Sequence, residues 1–157
     1  MRDLQDGDEF CNLLAALTTA RDELAEKQQN YKPLVVKIAP DISDKQLQVL
    51  AERLLQHGVD GVIATNTTID HTAVEQYPNG DQEGGVSGAP VREKSTHVIR
   101  LLREALGPDF PIIGVGGIDS LAHAQEKREA GADLVQIYSG LIYQGPQLAR
   151  TLAAELK

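Results

Sequence analysis

Pro111-Ile112-Ile113-Gly114-Val115-Gly116-Gly117-Ile118-Asp119-Ser120 and Leu134-Val135-Gln136-Ile137-Tyr138-Ser139-Gly140 decide the fold of this chain. Each is an apolar, β-branched run that ends in small or hydroxyl residues, the pattern of a strand buried in a parallel sheet. Residues 120–130 between them read as a helix that stops at Gly131. The unit is strand–loop–helix–strand, and it sets two strand ends suited to phosphate side by side. In a (β/α) barrel, the loops after the last two strands form a frequent phosphate site.

Working outward, the same alternation recurs. Residues 8–29 carry Phe10, Leu13, Leu14, Leu17 and Leu24 at helical spacing, and Tyr31-Lys32-Pro33 ends that helix. Residues 34–38 read as a short buried strand. Ser43 with Gln46 forms a capping box for a helix on Leu47, Leu50, Leu54 and Leu55, which stops at Gly58. Residues 61–65 are the next strand. A long polar, glycine-rich connection over 68–93 contains Gly84-Gly85-Val86-Ser87-Gly88; connections of this length inside compact domains are usually functional or disordered. A helix on Val98, Leu101, Leu102 and Leu106 then runs to Gly107-Pro108, strands follow at 112–115 and 134–138, and a last helix uses Leu148, Leu152 and Leu156.

Four strands joined by helical crossovers make the class α/β with a parallel sheet. A closed (β/α)8 TIM barrel has eight such units in about 250 residues, so four βα units are half of one. A small open doubly wound sheet is the alternative.

The chain has 157 residues, 41% apolar and 24% charged, with a formal net charge of −8. Those values fit one globular domain over 1–157 and argue against a nucleic-acid partner. The single cysteine, Cys11, excludes an intrachain disulfide and reads as a small buried hydrophobe. No apolar run approaches the ~18 residues of a membrane span, and no secretory leader is visible, so the expected location is cytoplasmic.

In α/β folds the active groups sit at the carboxyl ends of the strands. Lys37 interrupts the first apolar strand, either as an ion-pair partner at the sheet rim or as a cation held against an anionic ligand. Thr65-Asn66-Thr67-Thr68 ends the second strand. Asn66 is either an ordinary turn residue or an amide that recognises a planar heterocycle through paired donors and acceptors. Gly116-Gly117 precedes a helix with Asp119 or Ser120 as its N-cap, where free N–H groups attract phosphate. Tyr138-Ser139-Gly140 offers a hydroxyl and backbone donors at the neighbouring position. His57, His71, His97 and His123 show no metal-ligand spacing, and no metal is expected.

Taken together, Val36-Lys37-Ile38-Ala39-Pro40-Asp41, Asp60 through Thr68, Gly84 through Gly88, Ile112 through Gly117 and Leu134 through Gly140 resemble the dihydroorotate dehydrogenases. Thr-Asn-Thr-Thr and Tyr138 resemble the class 2, quinone-dependent branch. The resemblance implies FMN as cofactor, held by Lys37, Thr65, Gly88, Gly117, Tyr138 and Ser139. It implies dihydroorotate or orotate at Asn66 and Thr67, and a quinone as electron acceptor. It further implies the C-terminal half of the barrel. Met1-Arg2-Asp3-Leu4-Gln5 is similar to the tail of the family's catalytic serine loop, so the base is expected upstream of Met1 and none of the serines here matches it. The expectations are an inert chain when isolated, self-association through two open sheet edges, and membrane attachment only through sequence not in this chain. A phosphate-binding barrel half of the phosphoribosyl isomerase type, and a non-catalytic FMN- or phosphate-binding module, are the alternatives.

Overall fold

The computed structural model describes residues 7–156. The stretch Met1–Gln5, on which the serine-loop comparison rests, lies outside them. Helix α1 (Asp8–Gln28) leads into β1 (Val35–Ile38), α2 (Asp44–Gln56) and β2 (Gly61–Ala64). A one-turn 3-10 helix, Ala89–Val91, opens α3 (Arg92–Leu106), followed by β3 (Ile112–Val115), α4 (Leu121–Glu129) and β4 (Leu134–Gln136). Two helices close the described chain, α5 (Ser139–Gln144) and α6 (Pro146–Glu155). The strands pair in chain order, β1-β2-β3-β4, all parallel. Consecutive parallel strands with helical crossovers are four adjoining staves of a (β/α)8 barrel, as the sequence implies.

The register separates the two faces of the sheet. Ile38, Ala64 and Gly114 lie in one row, and Val36, Val62 and Ile112 in the next. They face α2 and α3 and join Leu47, Leu50, Leu54, Ile99 and Leu102 in the main core. Lys37, Ile63, Ile113 and Leu134 form a row on the opposite, concave face. That face is open: Leu134 is 62% exposed, and Lys37 is exposed rather than buried. β1 is therefore less buried than its composition suggests, because β1 and β4 are edge strands in the described sheet.

Helix ends follow their local chemistry. Ser43 and Gln46 make the capping box on α2, and Ser120 caps α4 by accepting from His123 N–H. Gly58, at φ +61, closes α2 in a Schellman arrangement, with Gly58 N–H on Leu55 O and Val59 N–H on Leu54 O. Helix α1 is half a success for periodicity. It is helical as expected, but only Phe10 and Leu14 are buried, while Leu13, Leu17 and Leu24 are 42–53% exposed. Cys11 is half-buried, not core. β4 stops at Gln136, two residues short of the expected end, because Ile137 and Tyr138 leave the ladder to start α5, a helix not anticipated from sequence.

One device recurs at the amino ends of the strands. Arg21 of α1 donates to Gly58 O (2.9 Å) and to Asp60 Oδ2 (2.8 Å), and Asp60 Oδ2 accepts Leu34 N–H (2.7 Å). Arg103 of α3 donates to Gly131 O (2.7 and 2.9 Å) and to Asp133 Oδ2 (2.7 Å), and Asp133 Oδ2 accepts Ile112 N–H (2.8 Å). In both cases an arginine joins the glycine that ends a helix to the aspartate that starts a strand, and the aspartate grips the neighbouring strand. Arg103 also donates to Gly107, Pro108 and Phe110 carbonyls.

The connection after β2 is ordered by its own hydrogen bonds. Thr68 and Val86 pair as an antiparallel bridge. His71 Nδ1 lies 2.8 Å from Gly80 O and Nε2 lies 3.0 Å from Gly84 O. Carbonyls only accept, so both contacts are hydrogen bonds when the ring is doubly protonated. The Gly80 carbonyl, then Gly84, raise the His71 pKa above its ordinary 6.5, against a smaller lowering by desolvation.

Two outcomes follow. R103A should destabilise the chain by about 3 kcal/mol, since it strands several carbonyls and a carboxylate, against about 1 kcal/mol for the cap variant S43A; denaturant unfolding ranks them. A raised folded pKa means the His71 latch contributes fully below pH 6.5 and is lost as pH rises through the folded value. NMR titration of the His71 ring should give a midpoint above 6.5, tracked by amide signals from 80–84 that lose this pH dependence in H71Q; a midpoint below 6.5 contradicts the latch.

Candidate functional site

The carboxyl ends of the four strands border one cleft of about 260 Å³, open on one side. All eight residues singled out from the sequence line it. Lys37 comes from β1, and Thr65, Asn66 and Thr67 follow β2. Gly88 precedes the 3-10 turn, Gly117 follows β3, and Tyr138 and Ser139 open α5 after β4. The wall is mostly apolar, with Val91, Val115, Ile118 and Ile137 between the polar groups. This is the usual make-up of a small-molecule site.

Lys37 projects from the concave row, and among the described residues no carboxylate pairs with it. Its exposed ammonium sits in the cleft wall, which favours the anion-facing reading over the rim ion pair.

The segment after β2 is fixed on three sides. Thr65 N–H donates to Val115 O (3.0 Å) and Asn66 N–H to Ile38 O (2.7 Å), so the chain is tied to both neighbouring strands. The Ala64–Thr65 peptide bond is cis. Asn66 Oδ1 accepts Thr67 N–H (2.9 Å) and so has a turn role, while the Asn66 side chain remains exposed at the cleft. Asp41, beyond β1, then takes the Thr68 hydroxyl, Ile69 N–H (2.9 Å) and Lys94 Nζ (3.1 Å). Partial burial alone would raise the Asp41 pKa; the Thr68 hydroxyl, Ile69 N–H and Lys94 outweigh it and hold the carboxyl below its usual range.

The far end of the cleft is built from backbone. Gly117 has φ +69, and a Cβ there would lie 2.4 Å from Arg92 Cβ and 3.0 Å from Gly88 O. Only glycine lets the loop after β3 lie against the turn that opens α3. Ser139 begins α5, whose first N–H groups have no intrahelical partner. Its Oγ is 2.8 Å from Ser87 Oγ, so the glycine-rich loop and the β4 end close on each other. A short helix after the last strand, beside a glycine loop after the one before, is the usual phosphate site of a barrel.

Sequence reasoning missed Gln136, which also lines the cleft. The signal was present: it is a polar residue inside an apolar strand, as Lys37 is. The role of Ser87 was likewise hidden within a loop noted only for its glycines.

The family model for dihydroorotate dehydrogenase matches residues 1–157. The dihydroorotate dehydrogenase (quinone) of Bordetella avium (strain 197N) is 54% identical over 157 residues, which is 100% of this chain and 45% of that protein. That of Vibrio parahaemolyticus serotype O3:K6 (strain RIMD 2210633) is 52% identical over 156 residues, 99% of this chain and 46% of that protein. A crystal structure of DHODH from Eimeria tenella in complex with ferulenol superposes with a TM-score of 0.90 at 32% identity, covering 99% of this chain and 45% of that one. The chain thus spans about half the length of the relatives it matches. With the family model matched from end to end and the half-barrel shared with solved members, the chain belongs to the dihydroorotate dehydrogenase family.

Proposed function

We propose that this chain is the C-terminal half of a quinone-dependent dihydroorotate dehydrogenase barrel, which carries most of the FMN site and part of the pyrimidine site. The observation that carries the proposal is the convergence of Lys37, Asn66, Gly117 and Ser139 on one cleft from four different strand ends. The shape and donors fit the cofactor. A cradle that excludes even a methyl group at Gly117, next to the start of α5, suits a phosphate. The apolar middle suits a planar ring system, and Lys37, which no carboxylate pairs among the described residues, suits its anionic form.

FMN, when bound, supplies a hydride acceptor for oxidation of dihydroorotate to orotate, the ring electronics being the cofactor's own. The residues of the chain then bind and orient. Gly88, Gly117, Tyr138 and Ser139 hold the phosphate end, and Thr65 holds the ring side. Lys37 places positive charge where reduced flavin gathers negative charge, which favours reduction. Asn66 and Thr67 hydrogen-bond the pyrimidine, with Asp41 and Thr68 keeping their segment in place. No general base is assigned to any residue of this chain, so the isolated chain binds without turnover. The two open sheet edges support self-association of the isolated chain. A quinone acceptor, taken from the relatives' names, would bring the whole enzyme to a membrane surface. Among the described residues, no helix is long and apolar enough to cross a membrane.

Flavin fluorescence titration should show FMN binding to the 157-residue chain, with no orotate formed from dihydroorotate. G117A should weaken FMN binding by at least about tenfold, roughly 1.4 kcal/mol, since its Cβ has nowhere to go. N66A should leave FMN affinity within about twofold and abolish detectable orotate binding, because removing one side of a polar recognition pair costs most of the discrimination. Equal losses of FMN affinity in G117A and N66A would contradict the division of the cleft.

A further inference from the structure

Lys127 has no exposed surface. An unpaired ammonium in that position is costly, and the chain satisfies it completely. Nζ donates to Arg92 O, Ser95 Oγ and Thr96 Oγ1 at 2.5–2.7 Å, three acceptors for three donors. All three acceptors belong to the first turns of α3. A cation there opposes the helix dipole, so helix stability is not what the arrangement serves. Desolvation lowers the Lys127 pKa to about 8, with Glu126 raising it and Arg92 lowering it further, so the group remains charged at neutral pH.

The other side of the same turn is the Gly116–Gly117 loop. A Cβ on Gly116 would lie 2.8 Å from Ser95 Oγ, and one on Gly117 2.4 Å from Arg92 Cβ. Ser95 Oγ has a single hydrogen and two acceptors in reach, Arg92 O at 3.0 Å and Gly116 O at 3.4 Å. Lys127 Nζ (2.7 Å) and the Thr96 hydroxyl (2.9 Å) also donate toward Arg92 O, which has two lone pairs, so this crowding of donors turns the Ser95 hydrogen toward Gly116 O. The buried ammonium thus sits directly behind the residues against which the loop is moulded.

We propose that Lys127 is a positioning residue for the phosphate end of the cleft: it clamps the first turn of α3, and through Ser95 and Arg92 it fixes the Gly116–Gly117 loop in the form that accepts a phosphate monoester. The ligand rests on the function proposed above; the clamp itself does not, and it is tested without any ligand.

The test compares wild type, K127M and S95A by backbone NMR relaxation and by titration with FMN and with riboflavin, which lacks the phosphate. S95A keeps the lysine and its other two bonds, so it decides the matter if K127M fails to fold. The order parameters of Gly116, Gly117 and Ile118 should fall from the rigid range of about 0.85 toward about 0.6, with Val36 and Ile38 of β1 unchanged. FMN affinity should drop by about tenfold or more, with riboflavin affinity held within about twofold, a ratio that general destabilisation would not move. Unchanged order parameters at Gly116–Ile118 in folded S95A overturn the clamp, as does an equal loss of order in β1. A wild-type chain that binds FMN no better than riboflavin counts instead against the phosphate site, and the relaxation result still decides the clamp.

Discussion

Arg103 draws together more of this fold than any other described side chain. Its guanidinium donates to the carbonyls of Gly107, Pro108, Phe110 and Gly131 and to the carboxylate of Asp133, which in turn accepts the first N–H of β3. A planar fork with five donors suits this task as no ammonium could. With the end of α3, the end of α4 and the starts of β3 and β4 fixed at one end of the sheet, the other ends of β3 and β4 have little freedom. Gly117 and Ser139 therefore both lie against Gly88, a Cβ on Gly117 reaching Gly88 O at 3.0 Å and one on Gly88 reaching Ser139 Cβ at 3.8 Å. Arg21 and Asp60 do the same for β1 and β2 and so bring Lys37 beside Asn66. The amino ends of the strands hold the architecture, and the carboxyl ends are left to the site, the division expected of a barrel.

Much of this was legible in the sequence because it depends on short-range chemistry. Continuous apolar, β-branched runs located the four strands, helical spacing with its glycine and proline stops located five of the helices, and Ser43 with Gln46 announced a capping box that the structure contains. Lys37, Asn66, Gly117, Tyr138 and Ser139 stand out because they interrupt apolar strands or follow them, and strand ends in α/β folds converge; Thr65, Thr67 and Gly88 stand out through the family resemblance, and all eight line one cleft. The match to the dihydroorotate dehydrogenase family adds the solved half-barrel to that argument.

What escaped the sequence depends on long-range packing. Helix α5 has no apolar stripe: Ile142 is 70% and Tyr143 84% exposed, so periodicity could not reveal it. Leu13, Leu17 and Leu24 look like core at helical spacing, yet α1 lies at the margin of the described sheet and buries only its Phe10–Leu14 side. Lys127 sits in a run, Glu126-Lys127-Arg128-Glu129, that reads as a solvated face. Its burial follows from Gly114, where the missing side chain lets α4 approach the sheet until Lys127 Cβ would lie 3.1 Å from a Cβ at that position.

The central claim is that the ends of β3 and β4 hold the phosphate of FMN while those of β1 and β2 face its ring and the pyrimidine. Amide chemical-shift mapping with FMN and with riboflavin tests it most directly. The account predicts that FMN, and not riboflavin, moves Gly88, Gly117 and Ser139, whereas both flavins move Lys37 and Thr65. Identical shifts from the two flavins, or shifts confined to residues outside this cleft, would contradict it.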